Sequence, residues 1–227
     1  KREEWKVKGL RKAGGIAAIY EAAAYLVGIV GYLVILDYTV VRGPMEKVSF
    51  LLENMGVVYA LTLFVYVVFG VALVVLSLAL HDRLKEGAQG LMQVATVFGL
   101  VWAALLLGSG MIYNVGLGSV ALLYETDPAR AATVWAVIEA ISNGLGGEYE
   151  ILGGLWTLLV SVAALRSGAF GRIVNYVGLV LGLAGIVSVV PPITEAAVGV
   201  FALGHIIWFV WIGILLIRGT EGSHSAG

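Results

Sequence analysis

Glu21 and His205 are the residues best placed to do chemistry, because each falls inside a long apolar run where a polar side chain is costly. A carboxyl and an imidazole are groups that take up and release protons near neutral pH, and a carboxylate also holds cationic groups. Glu195 precedes His205 by about three helical turns, so the three form a candidate intramembrane polar site. Toward the outer side, Asp37, Glu139, Glu148 and Glu150 meet only Arg42, Lys47 and Arg130 and form a candidate acidic mouth. These residues support two readings. In one, a site between helices handles a proton or holds a cation; in the other, Glu21 is a neutral buried carboxyl bonded to a Tyr or His, and the outer carboxylates are simply solvated.

The inventory excludes several familiar chemistries. Haem held by two histidines needs both inside the membrane, and His81 lies at a turn and His224 in the tail. There is no HExxH, no GxSxG, no P-loop and no GxGxxG after a strand. Without cysteine there is neither a thiolate nucleophile nor a thiolate metal site. No metal and no cofactor is expected, and an intramembrane enzyme has no nucleophile or metal set behind it. Nucleic-acid binding has no basis beyond a short basic N-terminus, which suits anionic lipid heads better.

The elements that must position these residues are membrane helices. The chain is 60% hydrophobic and 13% charged over 227 residues, against roughly 25% charged in soluble domains. A helix crosses the hydrocarbon with about 20 apolar residues, and six runs qualify, near 14–36, 56–80, 90–113, 150–166, 172–190 and 196–217. The whole chain, 1–227, reads as one all-α polytopic bundle. The run from Ile16 to Ile35 is too long for the core of a cleavable signal and reads as a retained first span.

Basic residues on short loops resist translocation and orient a bundle. With the N-terminus inside, Lys1, Arg2, Lys6, Lys8, Arg11, Lys12, Arg83, Lys85, Arg166, Arg172 and Arg218 are cytoplasmic, which is 11 of the 14 Lys and Arg. Both termini are therefore expected in the cytoplasm, and the plasma membrane is the expected location.

Two outer connections carry helical signals. Val48, Leu51, Leu52 and Met55 repeat at helical spacing and read as an amphipathic lead-in to the second span. Asp127-Pro128 is a helix start, with Asp as N-cap and Pro at the first position. An interfacial helix follows over about 128–142, its apolar stripe Ala131, Val134, Trp135, Ile138 and Ile141, ended by Asn143-Gly144 and Gly146-Gly147. In the fifth span Gly178, Gly182 and Gly185 would let helix backbones approach closely. Pro191-Pro192 ends that span, and Thr194 is expected to cap the sixth. Tyr20, Tyr25, Tyr32, Tyr59, Tyr66, Tyr113, Trp102, Trp156, Trp208 and Trp211 either line a cavity or fill space between helices.

Leu10-Arg11-Lys12-Ala13-Gly14-Gly15, Gly153-Gly154-Leu155-Trp156 running to Leu165-Arg166-Ser167-Gly168, Val177-Gly178-Leu179 with Gly182 and Gly185, and Trp211 to Arg218-Gly219 make a pattern along most of the chain. It resembles the bacterial and archaeal six-helix membrane proteins of domain of unknown function family 4386. That resemblance implies a six-span integral membrane protein of the prokaryotic inner membrane and supplies no catalytic residues. Where such proteins often carry an acidic residue in the last span, this chain has His205.

The expected function is a structural or accessory subunit of a membrane assembly or homo-oligomer, with lipids and either a protein partner or a second copy as its partners. The alternative is a small transporter or binder of a cationic or lipophilic solute, using Glu21, His205 and the outer carboxylates.

Overall fold

The computed structural model describes residues 2–37, 41, 43–146 and 149–221, with side chains from Gly9 to Gly219. Lys1, Arg42, Gly147, Glu148 and His224 lie outside the described residues. All described elements are helical. They are α1 (Arg2–Val30), α2 (Pro44–Glu53), α3 (Met55–Thr62), α4 (Phe69–Tyr124), α5 (Pro128–Gly146), α6 (Ile151–Arg166), α7 (Arg172–Val187) and α8 (Thr194–Glu221). A π-helical segment Gly31–Ile35 extends α1, and another, Leu63–Val68, joins α3 to α4.

Among the described residues, four helical stretches are long and apolar enough to cross a membrane: Gly9–Ile35, Met55–Tyr124, Pro128–Arg166 and Pro191–Gly219. Arg172–Val187 is apolar but shorter. The second stretch is two antiparallel arms. Its backbone leaves the helix at Ala88 (φ −155°, ψ 48°), next to Gly87 and Gly90. From there the chain doubles back, so that Gly70 lies against Ala103 and Leu107, Gly99 against Ser77, and Gly110 against Tyr66. The arms 55–87 and 89–124 thus meet through glycines where a methyl group would collide.

α5 and α6 run back along the second arm as one broken rod. Ile138 packs on Gly116, Ser142 on Ser109, Gly146 on Leu106, Gly153 on Trp102, and Ser167 on Gly87. α1 packs on the first arm through Gly14 against Ala79 and Gly31 against Leu61, and on α8 through Gly15 against Ile217. α7 closes the bundle against α6. There Gly154, Gly182 and Gly185 bring the two backbones together, and Gly178 faces Ser161 and Trp208.

This arrangement has two cores. One, within the bundle, includes Leu73, Leu76, Trp102, Trp156, Phe201, Trp208 and Phe209. The other joins α2, α3, α5 and the end of the second arm through Leu36, Val48, Leu51, Leu117, Val120, Ala131 and Trp135. The arm 89–124 is about 54 Å long at 1.5 Å per residue, while the hydrocarbon layer is about 30 Å thick. The second core forms a cap at the far end of that arm. Outward-facing Leu26, Val34, Val97, Val101, Val180 and Ile207 cover the bundle with apolar surface, which suits lipid and would be unsatisfactory in water.

Several local expectations change. Asp127 caps α5 as its sequence suggests, accepting from the Arg130 amide at 3.0 Å. The helix, however, runs through Asn143-Gly144 to Gly146. Its buried face is Ala131, Ala132, Trp135 and Ser142 rather than the full expected stripe, and Val134 and Ile141 are exposed. Packing along the second arm selects that face. Thr194 does not cap α8: a 3₁₀ turn, Pro191–Ile193, precedes it, so Thr194 is already helical and its hydroxyl donates back to the Val190 carbonyl at 3.1 Å.

Candidate functional site

Glu21 and His205 are both fully buried in the bundle, on α1 and α8. Their surroundings differ. His205 is locked: its Nδ1–H donates to the Phe201 carbonyl at 2.8 Å, which leaves Nε2 to accept from the Thr157 hydroxyl at 2.9 Å. Both ring nitrogens are satisfied in a neutral tautomer, between Phe201 (3.9 Å between centroids) and Phe209 (5.1 Å). Glu21 has no such arrangement. Neither carboxyl oxygen has a hydrogen-bond partner.

Tyr25 connects the two. It lies one helical turn beyond Glu21 on α1, and its ring stacks on His205 at 6.1 Å between centroids. Its hydroxyl is within electrostatic reach of both Glu21 and Glu150. Beyond Tyr25 opens a chamber of about 110 Å³ lined by Tyr25, Val65, Tyr66, Phe69, Trp102, Leu106, Gly146 and Glu150. Glu150 is the residue just before α6. Its amide donates to the Ser188 hydroxyl at 2.9 Å, which fixes the backbone at the start of α6.

Tyr66 belongs to the π segment Leu63–Val68 and forms a wall shared with a second cavity of about 260 Å³. That cavity is lined by Tyr32, Lys47, Tyr66, Tyr113, Glu139 and Asn143. Lys47 and Glu139 in turn border a third cavity of about 310 Å³ between α2 and α5. The Lys47 ammonium bonds both Glu139 oxygens, at 2.6 and 2.8 Å. Three cavities thus lie in series from the cap inward, divided first by an ion pair and then by a tyrosine.

Residues 17–219 match the family described as Domain of unknown function (DUF4386). The chain belongs to the DUF4386 family. No curated protein and no solved structure matches it. The resemblance read from its Gly, Trp and loop-Arg pattern therefore holds, and the chemistry of this DUF4386 protein has to be argued from its own residues.

Those residues only partly assemble as the sequence suggests. Glu21 and His205 converge on Tyr25, whereas Glu195 is exposed at the start of α8, about 15 Å along the helix from His205. The acidic mouth separates as well. Glu139 is neutralised by Lys47, Glu150 is drawn into the inner chamber, and Asp37 is exposed at the end of the π segment with φ of 37°. Glu148 lies outside the described residues. Among the aromatics, Tyr25, Tyr66 and Trp102 line the chamber. Tyr20 and Tyr59 instead donate to the Phe64 and Asn114 carbonyls at 2.6 Å, and Trp156 and Trp208 are packed in the core. Sequence reasoning missed Thr157 and Lys47 as partners. An apolar helix hides a threonine's direction, and only the pairing of α2 with α5 brings Lys47 to Glu139. Among the described residues no group of His, Asp and Glu could hold a metal ion.

Proposed function

We propose that this protein is a six-span membrane protein, both termini cytoplasmic in the plasma membrane, that binds a small organic ammonium cation entering from the outer side. The observation that carries this is the inner chamber: one carboxylate without a described partner, Glu150, set among Tyr25, Tyr66, Phe69 and Trp102. A carboxylate supplies charge, and aromatic faces attract cations by about 0.5–2 kcal/mol each, more strongly when water is excluded. The size favours a small ligand. At about 110 Å³ the chamber is well below the roughly 300–1,000 Å³ of sites for drug-sized molecules, which argues against a bulky lipophilic solute. The donor set favours an organic cation over a metal ion, since a divalent ion seeks about six oxygen ligands and this chamber offers a carboxylate and two phenols.

The six-span topology rests on the fold-back at Ala88 and on the loop charges. The structural or accessory role expected from the sequence accounts less well for the buried residues. Packing alone favours apolar groups or bonded polar ones, and Glu21 is neither.

Titrating tetramethylammonium while following tryptophan fluorescence, in the wild type and in Trp102→Phe, tests the reading. A saturable change is expected in the wild type and a much smaller one in the variant. The same response in both proteins, or none in the wild type, would remove the chamber as the site.

A further inference from the structure

Lys47 and Glu139 meet between two cavities of the cap. Val48 and Leu51, both fully buried, dock α2, and the buried Ala131, Ala132 and Trp135 dock α5, so the two side chains reach each other from fixed helices. The Lys47 ammonium donates to both Glu139 oxygens, at 2.6 and 2.8 Å. On one side lies the cavity of about 260 Å³, whose other lining residues are Tyr32, Tyr66, Tyr113 and Asn143. On the other lies the cavity of about 310 Å³ between α2 and α5. A carboxylate beside three phenol rings suits a small ammonium ion, since the carboxylate supplies charge and hydrogen-bond acceptors and aromatic rings attract cations. The cation held there is the chain's own.

We propose that Glu139 with Tyr32, Tyr66, Tyr113 and Asn143 is a binding site for a small primary alkylammonium, and that Lys47 is its tethered competitor. The pair itself indicates the ligand class: a primary ammonium on an unbranched alkyl chain, donating to both carboxylate oxygens. Binding is then an exchange. The arriving amine takes the acceptors on Glu139 from the side of the Tyr-lined cavity, and the Lys47 side chain swings into the cavity of about 310 Å³ that it also lines. One positive charge replaces another at one carboxylate, so no charge is left uncompensated at the site. The displaced ammonium goes to water, because the Lys47 side chain is already 30% exposed and that of Glu139 25%. At such exposure Lys47 holds the site against a ligand by at most about fivefold, roughly 1 kcal/mol. The site is separate from Glu150 and stands whether or not the chamber takes cations. Tyr66 lines both cavities, so one ring separates an amine held on Glu139 from the chamber.

The test is calorimetric titration of n-butylammonium, the cation that mimics a lysine side chain, into the full chain in detergent. Glu150→Gln is present in every protein, so that the chamber's carboxylate is absent throughout. Adding Lys47→Met is expected to tighten binding about fivefold. Lys47→Gln, which keeps a donor between α2 and α5 without the charge, should tighten it less. Adding Glu139→Gln to Lys47→Met is expected to weaken binding at least about tenfold. Tetramethylammonium, with no N–H to donate, should bind the Lys47→Met protein more weakly than n-butylammonium does. Removal of Lys47 with no gain in affinity, binding that survives Glu139→Gln, or no binding to the Lys47→Met protein would each overturn the proposal. Equal affinity for tetramethylammonium would overturn its assignment to primary amines. None of these outcomes touches the chamber reading, which turns on Glu150.

Discussion

Replacing Glu21 by methionine should make the protein more stable. Both carboxyl oxygens are buried without a partner, and a buried polar group left unsatisfied costs about 1–3 kcal/mol. Methionine has a similar length, adapts to irregular space and carries no such penalty, so Glu21→Met is expected to gain about 2 kcal/mol of that cost back. For a chain of this size a change of about 2 kcal/mol moves Tm by about 4–8 °C. Glu21→Gln is the control: its amide is as poorly partnered as the acid, so its Tm should stay within about 2 °C of the wild type by the same scale. Circular dichroism melting in one detergent at one pH would measure all three. A Tm lowered by several degrees in both variants would refute the reasoning, because it would mean that Glu21 holds a stabilising bond.

Thr157→Val removes the hydroxyl that donates to His205 Nε2 and leaves that nitrogen buried and unmet; a loss of about 1–3 kcal/mol is expected in the same melting assay. Gly154→Ala places a methyl against the Ile186 amide at 2.6 Å and the Gly182 carbonyl at 2.7 Å. Because backbone cannot swing aside, α6 and α7 must separate, and a loss of at least about 2 kcal/mol should appear as reduced Tm. At the turn between the arms, burial alone would push the Asp82 carboxyl up, but hydrogen bonds from Lys85 and Arg11, both at 2.9 Å, outweigh it and hold the group below its usual range. Its stabilisation is therefore present above the unfolded carboxyl value and lost as pH falls through the lower folded value. For so exposed a set it amounts to at most about 1 kcal/mol, and Asp82→Asn should flatten that acid-side decline in Tm. The absence of cysteine makes orientation simple to test: an impermeant maleimide added to intact cells should label Glu125→Cys, and should label Gln89→Cys only after permeabilisation. The reverse pattern would invert the topology.

That the chain is built of apolar helices long enough to cross a membrane was legible because the signal is compositional: apolar runs of the needed length. Asp127 was equally plain, since an N-cap followed by proline is a local device. What escaped depends on which helix meets which. The fold-back at Ala88 fixes the partners of Gly70, Gly99 and Gly110, and nothing near Ala88 in the sequence names those partners. The face of α5 was rotated by its packing on the second arm, because two apolar stripes one position apart are equivalent until a neighbour chooses between them. Likewise Glu21 and His205 could be nominated as polar residues in lipid, but only the fold distinguishes a histidine with two bonds from a carboxyl with none. Glu150 looked like one of several outer carboxylates, and its backbone is fixed by the Ser188 hydroxyl, 38 residues away.

The most direct measurement is calorimetric titration of tetramethylammonium into the purified protein in lipid nanodiscs, comparing the wild type with Glu150→Gln. The account predicts saturable binding of one cation per chain to the wild type, and binding weakened at least about tenfold, roughly 1.4 kcal/mol, when the chamber's carboxylate becomes a neutral amide. Equal affinity in the two proteins would contradict it.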